Sequence, residues 1–199
     1  MVSSTAIDRL LADEAARPRA DARRNVERLV TAAREALDET GLDVTAHEIA
    51  RRAGVGIGTL YRRVGTREAL LRAVLLELLD GMLTAADRAL DGDDAWRGLV
   101  DFATVYVRLR AASCGVNEAL GESDARLDLS DTSAALRERL ENLVGRAHEA
   151  GAMRADVTWQ DIAWLLAGVV PGDHTIGLTS GGDQWRTSLR VVLDGLRAR

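Results

Sequence analysis

Lysine is absent from these 199 residues, so all 26 Lys-or-Arg positions are arginine. A GC-rich genome accounts for that bias, and no functional weight is placed on it. A single cysteine, Cys114, excludes an intramolecular disulfide and any multi-cysteine metal site, and points to a reducing compartment. Prolines number two, and aromatic β-formers are few, with four Trp, two Tyr and one Phe. Ala, Leu, Arg and Glu dominate instead, residues that favour helix nearly everywhere, so an all-α fold is expected. No stretch reaches the roughly 20 apolar residues needed to span a bilayer, and residues 1–20 lack the basic start and apolar core of an export signal. The expected location is the cytoplasm. The three histidines, His47, His148 and His174, show neither zinc spacing nor a nucleophile–base motif. The glycines at 54, 56 and 58 follow a helical rather than a strand pattern, which makes them a turn and not a phosphate loop. Neither catalysis, a metal nor a cofactor is expected.

The length suits one large domain, or a small one joined to a medium one. Net charge is −5, yet it is unevenly distributed. Residues 17–72 hold twelve arginines against eight carboxylates, a net of +4, whereas residues 73–199 hold thirteen against twenty, a net of −7. The basic part contains the most informative segment, residues 45–67. Thr45 with Glu48 three residues on is a capping-box pattern that marks a helix start. Ile49 and Ala50 face inward, Gly54 supplies the positive φ of a tight reversal, and Val55 and Leu60 close a small core. A second short helix leaves Gly56, Ile57, Thr59, Tyr61, Arg62 and Arg63 for the outer face and flanks. This is a helix-turn-helix whose exposed residue types suit groove and phosphate contacts.

The run from Glu48 to Arg63, followed by Gly65-Thr66-Arg67-Glu68-Ala69-Leu70, resembles the DNA-binding domain of the tetracycline-repressor (TetR/AcrR) family over residues 22–76. Val64 stands where relatives usually carry an aromatic residue, and Arg67 where lysine is commoner, a planar fork in place of a point charge. The resemblance implies a three-helix reading head and a larger helical domain that dimerises and holds an inducer. Residues 1–20 are then an arm, 21–66 the DNA-binding domain and 67–199 the effector and dimerisation domain. It further implies a homodimer on a palindromic operator, with half-sites about 34–36 Å apart or a multiple of that. Gly56 to Arg63 would enter the major groove. Thr59, Ile57, Arg62 and Arg63 would approach base edges, while Tyr61, Thr45, Thr66 and Arg67 hold phosphates. An effector would lower operator affinity by linkage, making the chain a repressor.

The rest of the chain reads as helices. Val26, Leu29, Val30, Ala33 and Leu37 form the stripe of a helix from Asp21 to Thr40, stopped by Gly41. Arg19, Arg23 and Arg24 lie at its start, as a phosphate-reaching arm or an ordinary solvated one. Ile7, Leu10 and Leu11 suggest two helical turns within a loose arm. Thr66 can cap a helix whose leucines occupy several faces, which marks it as the connection from head to body. Further helices are expected over 95–112, 117–120 and 132–150, then one opened by Thr158 and Asp161, and a last from Asp183 to Leu196. Glu122 to Asp131 and Gly177 to Gly182 read as loops. The final two helices carry broad apolar faces that a second copy would cover. Met82, Phe102, Tyr106, Cys114, Asn117 and Trp164 are candidates to approach an effector cavity, with plain core packing the competing account of each. Two rival functions use the same features. One is a helix-turn-helix that binds protein instead of DNA, which would tolerate loss of Arg62, Arg63 and Arg67. The other is a helical enzyme, which would turn over the compound it binds.

Overall fold

Alanine, leucine and arginine carry helix through almost all of the chain, broken where glycine or a cap dictates. The computed structural model describes residues 5–11, 20–121, 127–170, 174–179 and 181–198. Along these residues run α1 (Ala6–Leu11), α2 (Ala20–Thr40), a 3-10 turn (Gly41–Asp43), α3 (Ala46–Ala53), α4 (Ile57–Val64) and α5 (Arg67–Asp91). They are followed by α6 (Ala95–Ala112), α7 (Cys114–Gly121), α8 (Ser130–Glu149) and α9 (Trp159–Gly168). A small antiparallel hairpin, β1 (His174–Thr175) and β2 (Leu178–Thr179), precedes α10 (Gln184–Leu196). The hairpin lies partly where the sequence reads as plain loop. Gly177 at φ +81° makes its turn, and Ile176 beside it also has positive φ. Among the described residues no helix is long and apolar enough to cross a membrane.

The chain divides into two compact units, 1–81 with 113–132 and 82–112 with 133–199. The division falls inside α5. In the first unit the α2 stripe is completely covered: Val26, Leu29, Ala33 and Leu37 are inaccessible, and α3, α4 and α7 pack against the helix. Burial of such side chains contributes about 1.5–3 kcal/mol each, which is what holds short α3 and α4 in helical form. In the arm, α1 is docked and not loose. The Ala6 amide donates to Glu77 Oε2 at 2.7 Å, Arg9 pairs with Asp80 at 2.5 Å, and the Ala6 side chain is buried. Arg19 lies outside the described residues. Of the expected loop from Glu122 to Asp131, residues 122–126 also lie outside, while Leu127 and Leu129 are buried. The short helix expected at 117–120 begins earlier, at Cys114, because the buried Ser113 accepts from the Val116 amide at its start.

The second unit is built on α6, α8, α9 and α10, with Leu99, Phe102, Leu140, Leu143, Ile162, Leu166, Trp185 and Leu189 in its core. Gly98 lets α6 approach the end of α5 closely, since a Cβ there would stand 2.6 Å from the Ala89 carbonyl oxygen. Arg146 of α8 donates to the Leu90 carbonyl and to that of Gly92 at 2.6 Å, satisfying acceptors that the end of α5 leaves open. Thr158 and Asp161 form a complete capping box on α9. Bridging between Met153 and Arg197, with the Arg154 amide on the Leu196 carbonyl at 3.0 Å, ties the end of α10 to the turn after α8.

Candidate nucleic-acid interface

The two short helices owe their relation to backbone that only a few residues tolerate. Thr45 is extended, and its hydroxyl accepts from the Glu48 amide at 3.2 Å, which starts α3. The expected capping box is only half made. Glu48 turns its carboxylate to Arg51, at 2.7 and 2.9 Å, and to Arg52 at 2.7 Å. These hydrogen bonds, from Arg51 first and then Arg52, pull the Glu48 pKa down to about 2. α3 ends at Gly54, in the left-handed region at φ +63° and ψ +38°. The Gly54 carbonyl takes a 3.0 Å hydrogen bond from Arg28 of α2, and Arg28 would stand 2.7 Å from any Cβ at that position. Gly56, extended, then starts α4 by accepting from the Thr59 amide at 2.8 Å.

On α4, Leu60 and Val64 are buried and fix the helix on the core. The face opposite carries the expected groove residues. Tyr61 is 48% exposed, Arg62 and Gly56 are exposed, and Ile57, Thr59 and Arg63 are half-buried at the flanks. Arg62 reaches the Thr59 hydroxyl at 3.4 Å, and among the described residues it pairs with no carboxylate, so its charge is available to a phosphate or a base edge. Arg23 and Arg24 are tied to Glu27 and Asp21 on their own helix. Thr66 caps α5, accepting from the Ala69 amide at 3.0 Å.

Arg67 has a different place from the one its position suggests. Its guanidinium turns inward, donates to the carbonyls of Leu42 and Val44, and meets Glu68 at 3.1 Å. Only 18% of the side chain is accessible. Those bonds occupy the fork that a phosphate contact would use, so Arg67 braces the segment leading into α3. The same segment is gripped from α7, where Glu118 Oε2 accepts from the Leu42 amide at 2.6 Å. Gly41, at φ +76°, has no Cβ to obstruct that carboxylate. Gly115 of α7 sits directly on Leu37, closer than any Cβ would allow. Sequence reasoning missed Glu118 and Arg28, since their partners lie 76 and 26 residues away and no local pattern announces them.

The six candidate effector residues are divided between the two units. Met82, Phe102 and Tyr106 belong to the second unit, where Met82 and Phe102 are core and the Phe102 and Tyr106 rings lie 6.0 Å apart. Cys114, exposed, and Asn117, half-buried, belong to the first. Trp164 is 79% exposed on α9, beside a surface groove of about 680 Å³ that it lines with Val157, Leu165, Val169 and Val192. That groove and the exposed Leu165 and Val191 make the outer face of α9 and α10 an apolar surface. His148 donates from Nε2 to the Arg154 carbonyl oxygen at 3.1 Å, and His47 is exposed on α3.

Comparison with known proteins meets this geometry at both ends of the chain. Residues 29–74 match the model of bacterial regulatory proteins of the tetR family, and residues 94–198 that of the SbtR-like transcriptional regulator carboxy-terminal domain. A TetR transcription regulatory protein from Mycobacterium vanbaalenii is 32% identical, with a TM-score of 0.58 over 90% of this chain and 98% of that one. A TetR transcriptional regulator from Streptomyces coelicolor is 29% identical, with a TM-score of 0.60 over 87% and 98%. AibR, solved with isovaleryl coenzyme A and operator DNA, shares the fold at 20% identity, with a TM-score of 0.63 over 87% and 97%. No protein of curated function matches the chain.

Proposed function

The chain belongs to the TetR family of DNA-binding transcriptional regulators, and from that premise we propose a homodimeric repressor that leaves its operator when a small molecule binds its second unit. The observation that carries this reading is α4 itself, a short helix anchored by Leu60 and Val64 that turns outward Tyr61 and Arg62, the latter paired with no carboxylate among the described residues. Gly56 to Arg63 enter the major groove of each half-site. Thr59, Ile57, Arg62 and Arg63 lie toward base edges; Tyr61, Thr45 and Thr66 lie toward phosphates, their hydroxyls still able to donate. Arg67 serves by holding the segment before α3. The dimer forms through the apolar outer faces of α9 and α10, which supplies the two-fold symmetry that a palindrome requires. The protein works in the cytoplasm, and no catalytic role is assigned to His47, His148 or His174.

Release follows from chain connectivity. Segment 82–112 belongs to the second unit, yet it continues at one end through α5 and at the other into α7, both of which return to the first unit. An effector that shifts this segment therefore acts on the head by two routes, and it lowers operator affinity by as much as it prefers the shifted state. A fold relative held with isovaleryl coenzyme A and operator DNA supports a small-molecule effector. The test is fluorescence anisotropy on labelled DNA from upstream of the gene against a scrambled duplex, over a salt series. Selective binding with a steep salt slope is expected. Loss of selectivity in Thr59→Ala, with general weakening in Arg62→Ala, would fit the docking described. Unchanged operator affinity in both variants would overturn it and favour the protein-binding alternative.

A further inference from the structure

Two of the four tryptophans converge on a groove between α6 and α10, away from the outer face of α9 and α10. Trp96 and Trp185 line it with Val100, Leu189 and Leu193, in a volume of about 390 Å³. That volume lies in the range of small-molecule sites. Its rim is cationic. Arg197 lies over the Trp96 ring at 5.7 Å and Arg186 over the Trp185 ring at 4.7 Å, with Arg190 between them along α10. Asp194 is the only acid among the lining residues, which leaves the groove with an excess of two positive charges. Arg186 is neutralised in part by Asp183 at 2.8 Å, whereas Arg190 and Arg197 pair with no carboxylate among the described residues.

We propose that this groove binds a flat aromatic carboxylate, its ring against the half-buried Trp96 and beside the edge of Trp185, and its carboxylate on Arg190 and Arg197. Stacking on Trp96 holds the Arg197 guanidinium flat and leaves its N–H edges free, the arrangement a carboxylate accepts in bidentate form, and Arg190 adds a second charge along the same groove. Packing alone explains an arginine over each tryptophan. It gives no reason for a third arginine, Arg190, along the same groove with no carboxylate paired to it among the described residues. The ring requirement follows from the floor, because an aliphatic acid would cover the indoles less fully and gain less from stacking. The residues that line this groove are not those that line the groove beside Trp164, and the site stands whether or not the chain is a repressor.

The probe is 1-naphthoate, compared with neutral 1-naphthylmethanol and with acetate, titrated into the full chain. Four tryptophans give four indole N–H signals in a nitrogen–proton spectrum, assigned with single Trp→Phe variants. Naphthoate should shift the signals of Trp96 and Trp185 and leave Trp159 and Trp164 in place. The double variant Arg190→Gln, Arg197→Gln, both at exposed positions, should bind about tenfold more weakly or worse while melting like the parent. Neither control compound should reproduce the shifts at the same concentration. The proposal fails if naphthoate leaves both signals unmoved, if it moves Trp159 or Trp164 instead, or if the alcohol or the double variant binds as naphthoate binds the parent.

Discussion

Replacing Glu118 with alanine removes the acceptor that holds the Leu42 amide, and the effect can be worked from the contact. The bond is 2.6 Å long, has a carboxylate as acceptor and is half-buried. Loss of a hydrogen bond to a charged group costs about 1.5–3 kcal/mol, and partial solvation places this one at the low end, about 1.5–2 kcal/mol. For a chain of this length each kcal/mol lowers the melting temperature by about 2–4 °C, so a fall of about 3–8 °C is expected. Glu118→Gln keeps a neutral acceptor and should lose about half as much. A second readout separates this contact from general damage: Leu42 hydrogen exchange should accelerate in the alanine variant while the amides of α9 keep their protection. Should the alanine variant melt with the parent and Leu42 exchange remain slow, α7 does not grip the 3-10 turn, and one of the two routes assigned to operator release is lost.

The other predictions concern packing, acid and assembly. Gly115→Ala drives a Cβ to 2.5 Å from Leu37 Cδ2 and 3.2 Å from its carbonyl oxygen, so overpacking should destabilise by about 1–3 kcal/mol in urea titration. Gly54→Ala places a side chain at φ +63° and should lose about 1–2 kcal/mol, with Gly54→Asn milder. Because the Glu48 pKa is lowered from 4.5 to about 2, its ion pairs stabilise above pH 4.5 and are lost as pH falls from there toward 2. Glu48→Gln should therefore reduce the loss of α3 helicity over that interval, and an unchanged acid transition would contradict the pairing. Trp164→Arg puts a charge on the outer face of α9, and sedimentation should show monomer at concentrations where the parent is dimeric.

What the sequence could announce was whatever depends on near neighbours. Gly54 in the left-handed region, Thr66 as a cap and the Thr158–Asp161 box are local devices, and each is legible from residue type and spacing. The α2 stripe was legible for the same reason, since helical period alone selects the covered face. Arg67 shows where this ends. Its position in the motif suggests a phosphate, but the carbonyls it meets belong to residues 23 and 25 positions earlier, whose approach only the folded head creates. Similarly, nothing in Ile7, Leu10 and Leu11 reveals that Glu77 and Asp80 will hold α1. Trp164 was ambiguous by nature, because a large apolar residue on a helix is equally at home in a core, a cavity or an outer face.

The return of residues 113–132 to the first unit limits how such proteins can exchange parts. A recombination point after Gly81 would transfer α2, α3 and α4 to a new body while leaving behind the helix that covers Leu37 and holds Leu42. Such a chimera would carry a reading head with an exposed apolar patch and an unmatched amide. A workable graft needs two junctions, one in α5 and another around 112–132, or a recipient whose own α7 already presents glycine and a carboxylate three residues apart. For this chain, substitution along α4 leaves the contacts of α7 with Leu37 and Leu42 in place, whereas wholesale replacement of the head does not.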